Sequence, residues 1–182
     1  LAFELLTQGF TTRCFDGQSF FDADHPQEPE QGGATVTVSN VQDGVGAPWF
    51  LLDLSRGIKP VIFQEREKYQ FQKVDTDTDH NVFMRDEYLY GIRARVNVGF
   101  GLWQLAFGSK AELTAANLRA AFTTMMNFRG DCGQLLGIRP THLVVGAYNH
   151  FTARDLLTLE QIDGTSNGNR GLVELISSPF LA

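Results

Sequence analysis

Asp75, Asp77 and Asp79 alternate in the run DTDTD, and carboxylates at alternate positions open the calcium loop of an EF-hand. That chemistry also needs a sharp turn with glycine at the sixth place and a bidentate glutamate at the twelfth. Counted from Asp75, those places hold His80 and Asp86. The loop joins strand patterns instead of helices, so a solvated acidic turn is the expected outcome. Asp22, Asp24 and His25 in FFDADHP offer a second candidate, as a metal site or as an acid–base pair of Asp24 with His25. Against it stands a polar turn ended by Pro26. His80, His142 and His150 show no HExxH or other paired-ligand spacing. Cys132 lies between Gly130 and Gly133, just beyond an expected helix C-terminus, where the partial negative charge disfavours a thiolate. There is no GxSxG elbow and no GxxxxGK[ST] phosphate loop, and Gly99-Phe100-Gly101 lacks the third glycine of a dinucleotide fingerprint. No catalytic, cofactor-binding or metal-ligating residue is assigned.

The stretch from His80 to Gly108 organises the rest. From Tyr88 to Phe100 the even positions carry Tyr88, Tyr90, Ile92, Ala94, Val96, Val98 and Phe100, while the odd ones include Arg93, Arg95 and Asn97. This period of two predicts a strand with one buried face. The run Leu102–Phe107 that follows predicts a strand covered on both sides. Arg93 and Arg95 share the other face and are candidate interface residues, with acidic partners in the subunit or across a neighbour. Two solvated charges on an open sheet are the plainer reading.

Composition narrows the function. Of 182 residues, 43% are hydrophobic and 12% aromatic, which is enough to build a core. Fifteen phenylalanines against four tyrosines and two tryptophans put the aromatic weight on packing. The eleven Arg and four Lys do not cluster, and the net charge is −6. A direct, sequence-specific nucleic-acid partner is therefore not expected. Cys14 and Cys132 are too few for a disulfide framework and read as free thiols in a reducing cytoplasm. No apolar run is long enough to cross a bilayer, and no charged-then-apolar secretion signal opens the chain, so no membrane partner is expected.

In chain order, Leu1 to Gln8 reads as the last turns of an amphipathic helix closed by Gly9. Asp16-Gly17 predicts a hairpin turn, and residues 27–46 a surface excursion with one short strand, TVTVSNV. Short strands are expected at Trp49–Leu54 and Val61–Phe63, broken by Pro60. Thr114 is the expected N-cap and Gly130 the expected C′ residue of a helix carrying Leu118, Ala121, Phe122, Met125 and Phe128. Then come the strand HLVV, a helix over Ala153–Leu159, turns at Asp163-Gly164 and Asn167-Gly168, and the strand LVELI. This order predicts a mixed α+β protein in two packed regions.

Several stretches carry more than a pattern: GFTTRCFDGQSFFDADHP, WFLLDLSRGIKPVIFQERE, VFMRDEYLYGIRARVNVGFGLWQLAFGSKAELTAANL, LGIRPTHLVV and NRGLVELISSPFL. In this order they resemble the Mu-like major head subunit family of phages and prophages. The resemblance implies the α+β capsid fold of tailed phages, the Hong Kong phage type. It implies a structural subunit and no enzyme, with no catalytic or metal residue and no cofactor. The implied partners are other copies of the chain, in pentameric and hexameric capsomers of an icosahedral head. Scaffold, portal and decoration proteins of the head are further candidates. Leu1 to Phe10 resembles the end of the family's spine helix, so the N-terminal arm, the extended loop and most of that helix are expected to be absent. A chain without them is expected to fold but to stop at monomers or capsomer-sized rings. Residues 1–108 are expected to be peripheral-domain-like and 109–182 axial-domain-like. The alternative from the residues alone is a small metal-binding module or metal-dependent enzyme using Asp75, Asp77 and Asp79, or Asp24 with His25.

Overall fold

Four consecutive apolar residues, Trp49 to Leu52, have no polar face to offer water, and the chain puts them in the middle of a sheet. In the computed structural model, which describes residues 2–30, 32–162 and 164–181, the exposure of these four ranges from 0 to 5%. The expected elements at Leu1 and Asp163 fall outside the described residues.

The chain opens with α1 (Ala2–Gln8), followed by β1 (His25–Gln27), β2 (Val36–Val38), β3 (Val41–Gln42) and β4 (Trp49–Leu52). A long strand, β5 (Val61–Val74), leads through α2 (His80–Arg85) into β6 (Leu89–Phe100). After β7 (Ala106–Ser109) come α3 (Ala115–Met126), β8 (His142–Val145) and α4 (His150–Thr158). The chain ends with a small ladder of β9 (Gln161–Ile162) and β10 (Thr165–Ser166), then β11 (Glu174–Ser177).

Five strands form one mixed sheet in the order β11-β8-β4-β7-β3. β4 pairs antiparallel with both β7 and β8, and the outer strands β3 and β11 pair in parallel with their neighbours. α3 packs against β7, and α4 against β8 and β11. Leu118, Ala121, Met125, Ala153 and Leu157 are the buried side of these helices. Thr114 caps α3 as expected, its hydroxyl accepting from the Asn117 N–H at 3.2 Å. Among the described residues no helix is long and apolar enough to cross a membrane.

Contact density separates Leu1–Ile62 together with Phe100–Ala182 from Phe63–Gly99. The compact units are not divided at residue 108, because β7 spans that point and pairs with β4 and β3. Gly108 itself lies against the Phe21 ring, 2.8 Å from where its Cβ would be, so a side chain there would displace core atoms.

Several expectations need correction. The excursion over residues 27–46 holds more than one strand, since β2 pairs with β1 and β3 joins the main sheet. The strand expected at Val61–Phe63 runs on to Val74. In a two-stranded ribbon with both faces exposed, no apolar period is needed to hold it. For the same reason the even face of β6 is not buried: Tyr90 is 62% exposed and Ile92 72%. In the run Leu102–Phe107, Trp103, Leu105, Ala106 and Phe107 are buried, but the run is a 3₁₀ turn (Trp103–Leu105) entering β7. α3 ends at Asn127 instead of reaching Gly130, because Phe128 turns inward and is 3% exposed. α4 starts at His150, three residues before the expected start. The Asp16-Gly17 turn closes only a single bridge, Arg13 to Ser19.

Asp53 joins the end of β4 to two other segments. Its Oδ1 accepts from the Ser55 N–H at 2.9 Å and from the Ser55 hydroxyl, and its Oδ2 accepts from the Arg139 N–H at 3.3 Å. Burial opposes ionisation, but the Ser55 and Arg139 donors and the Arg56 guanidinium outweigh it and hold the carboxyl below its usual range. A depressed folded pKa adds stability above the ordinary Asp value of about 3.9, and that contribution is lost as pH falls through the folded value. In urea melts, Asp53→Asn is therefore expected to lie further below the wild type at pH 7 than at pH 3. A companion pair tests where the core lies. Leu51→Ala should cost about 2–5 kcal/mol, and Ile92→Ala under about 1 kcal/mol, read from the same melts at pH 7.

Candidate association surface

The hairpin unit Phe63–Gly99 carries charges and aromatics on a frame that buries almost nothing. Val82 is its one buried hydrophobic residue among the described residues. Glu67 on β5 meets both arginines singled out on β6. Arg93 donates from Nε to Oε2 at 3.1 Å and from Nη2 to Oε1 at 3.4 Å, and Arg95 Nη1 donates to Oε1 at 3.4 Å. One carboxylate thus serves two guanidiniums whose side chains are 63% and 68% exposed. In open solvent such pairs contribute about 0–1 kcal/mol. Around them, Phe63, Tyr69, Phe71, Tyr90 and Ile92 are all more than half exposed, and Phe71 lies nearly parallel to Tyr90 with ring centroids 6.1 Å apart.

At the far end of the hairpin the three alternating aspartates do not converge. Asp75 pairs with Lys73 Nζ at 3.0 Å, and Asp79 Oδ2 accepts from the Thr76 N–H at 3.2 Å as the chain turns into α2. Among the described residues no group of three or more His, Cys, Asp and Glu side chains is placed to hold an ion. α2 itself, which the sequence reading lacked, puts Phe83 (78%) and Met84 (63%) in solvent.

His25 is where the structure departs furthest from the sequence. It lies on β1, wholly buried, not in a polar turn. Its Nδ1 meets Asp16 Oδ2 at 2.6 Å and its Nε2 meets Asn40 Oδ1 at 3.2 Å, while the ring stacks on Trp103 at 4.0 Å. The Asn40 amide donates to the Phe20 carbonyl at 2.8 Å and faces those of Trp103 and Ala106. Asn40 Oδ1 also accepts from the Asp22 N–H at 2.9 Å. These bonds tie the first loop to β7 and leave the imidazole no open side for a substrate. The expected partner, Asp24, is exposed and interacts with Asp22 instead, which raises its pKa. Asp22 is held low: its burial works the other way, but the Ala23 and Ser19 N–H groups and its neighbours outweigh that. Asp16 was legible only as a turn residue, and Asn40 carried no signal, because its partners come from distant segments.

Neither cysteine is placed for nucleophilic work. Burial pushes the Cys14 thiol up, and its Sγ points at the Gly101 carbonyl at 3.8 Å. Cys132 is exposed in a tight turn at φ 66°, clear of the end of α3. A cleft of about 360 Å³ opens over Trp103, Leu105, Leu136 and Ile138, rimmed by Arg56 and Arg129. Asp131 is the one carboxylate in its lining, which contains no His, Cys or Ser. This floor suits an apolar side chain better than it suits acid–base chemistry.

Comparison with known proteins matches this chain to the family described as Mu-like prophage major head subunit gpT, over residues 1–181. The major capsid protein of Escherichia phage Mu is 42% identical over 190 residues, covering 100% of this chain and 62% of that protein. The Mu-like prophage FluMu major head subunit of Haemophilus influenzae is 46% identical over 151 residues, covering 80% of this chain and 49% of that protein. The chain thus spans 62% and 49% of these relatives' lengths. A chain of the bacteriophage JBD30 procapsid superposes with a TM-score of 0.87 at 42% identity, covering 100% of this chain and 62% of that one. A chain of the JBD30 capsid gives 0.85 at 23% identity and supports the fold alone.

With Glu67 shared between exposed arginines, the Arg93→Lys/Arg95→Lys double variant is expected to lower Tm by less than about 4 °C. Differential scanning calorimetry reads this directly, and a larger drop would mean that the arginines brace the fold of the hairpin.

Proposed function

The chain belongs to the Mu-like prophage major head subunit gpT family, and we propose that it works as a structural, non-catalytic part of a phage or prophage head shell. In this reading, copies associate into capsomers of an icosahedral head, and the protein resides in the virion. The observation that carries it is the similarity over the whole chain to a procapsid chain, TM-score 0.87 at 42% identity. The side chains fit the same reading. The residue types able to do chemistry are used for packing and turns, and the exposed apolar surface concentrates on the hairpin. Large exposed apolar patches on a folded protein mark interaction sites.

The reading extends to contacts, on the same-side placement of two arginines and on family membership for the other partners. Arg93 and Arg95 act at a subunit contact, and scaffold, portal and decoration proteins are further partners. One of the related capsid structures is described as decorated with minor capsid protein trimers, which supports the decoration arm of this list for that phage. The division into a peripheral-like 1–108 and an axial-like 109–182 remains part of the proposal, with one sheet spanning both.

Light scattering and negative-stain electron microscopy of the purified protein, combined with metal analysis, test this reading. Concentration-dependent oligomers or capsomer-sized rings without a stoichiometric metal are expected. A strictly monomeric protein carrying one metal ion per chain would overturn it in favour of a metal-dependent module.

A further inference from the structure

The hairpin separates its charges along its length. The turn segment, residues 75–87, holds five carboxylates, Asp75, Asp77, Asp79, Asp86 and Glu87, against one arginine, Arg85. The two strands, residues 63–74 and 88–99, hold five cations against two carboxylates, Glu65 and Glu67. An acidic tip therefore sits on a basic shaft. On the shaft, Arg93 and Arg95 divide one carboxylate between them and remain largely in solvent. At the tip, Asp77 and Glu87 have no ion-pair partner among the described residues.

The tip of a hairpin cannot reach the middle of its own shaft. Asp75 lies eight residues beyond Glu67, about 26 Å at about 3.3 Å per residue, and Glu87 lies six residues before Arg93, about 20 Å. An arginine and a carboxylate side chain together span far less. Apolar exposure runs the same way, with Phe83 and Met84 beside the tip carboxylates, and Tyr69 and Phe71 at alternate positions beyond Glu67, the carboxylate that meets the shaft arginines. A two-stranded ribbon with no second layer gains from any partner that covers such residues.

We propose that the acidic tip of one copy of this chain docks on the Arg93–Arg95 shaft of a second copy. Asp77 and Glu87 supply the carboxylates the arginine pair lacks, and the α2 side chains Phe83 and Met84 cover Tyr69 and Phe71. The two halves of this contact are different surfaces of the same molecule, so it can run head to tail from copy to copy, as a ring requires. It names a contact within the head-subunit reading and rests on that reading. A second copy is the favoured occupant because it brings the complementary tip in equal number. A nucleic acid would find a surplus of only three positive charges on the shaft, within a chain of net charge −6.

Charge exchange between two variants tests the contact by sedimentation velocity at low salt. Arg93→Glu/Arg95→Glu gives an acidic tip and an acidic shaft, and Asp77→Lys/Glu87→Lys neutralises the tip and sets lysines at its two contact positions while the shaft stays basic. Each alone is expected to associate at least about tenfold more weakly than the wild type. The equimolar mixture should regain association, because the introduced lysines of one tip face the introduced glutamates of the other shaft, and the acidic tip of the second faces the arginines of the first. Added salt should weaken the wild-type contact. Unchanged far-UV circular dichroism and Tm confirm that both variants fold. Wild-type association that survives both variants, or a mixture that stays as weak as its parts, overturns the tip-to-shaft contact and leaves the head-subunit reading standing. A wild-type chain that never self-associates overturns both.

Discussion

The need to bury Trp49–Leu52 on both faces governs the larger unit. A strand with no polar side must lie between two other strands and under helices, and β4 does so, flanked by β7 and β8. The distant segments that meet it are fixed in turn. β7 brings β3 with it, β8 brings β11, and the apolar sides of α3 and α4 close over the sheet. Polar groups at both ends of β4 have partners. Asp53 holds Ser55 and Arg139 at one end of β4, and the Trp49 indole donates to the Ala111 carbonyl at 2.8 Å at the other.

The hairpin obeys no such requirement. Among the described residues its strands pair only with each other, so beyond contacts such as Glu67 with Arg93 and Arg95 its side chains face solvent or a partner outside the unit. Long, exposed ribbons are costly to a protein that must stay monomeric, since open edges and bare aromatics invite association. In a subunit that works by associating, the same features are useful. Charge interspersed along the shaft limits indiscriminate contact, while its separation from the acidic tip allows a directional one.

His25, Asp75 and Asp79, which looked chemically able, are each satisfied from within the chain. His25 has Asp16 and Asn40 on its ring nitrogens and Trp103 on its face. Asp75 and Asp79 are occupied by Lys73 and by a backbone N–H. A catalytic group needs a side open to substrate. Arg93 and Arg95 differ in keeping most of their surface in water.

Local patterns in the sequence determined a good part of this molecule. The apolar run of β4, the Thr114 cap, the helical spacing of Leu118, Ala121 and Met125, and the strand HLVV all stand where their residue types put them. The family was legible too, because five ordered stretches resemble one family of head subunits, and the match spans residues 1–181. Arg93 and Arg95 were found as a same-side pair, though not their shared Glu67, which lies 26 and 28 residues away. Only the tertiary structure decided which apolar faces are covered. The alternation of β6 reads the same whether a second layer packs on it or not, and here none of Tyr88, Tyr90 and Ile92 is buried. Likewise the setting of His25 depends on Asn40, fifteen residues on, and on Trp103, far along the chain. Periodicity records which side chains share a face of an element; what that face meets depends on contacts between distant segments, and no local window contains them.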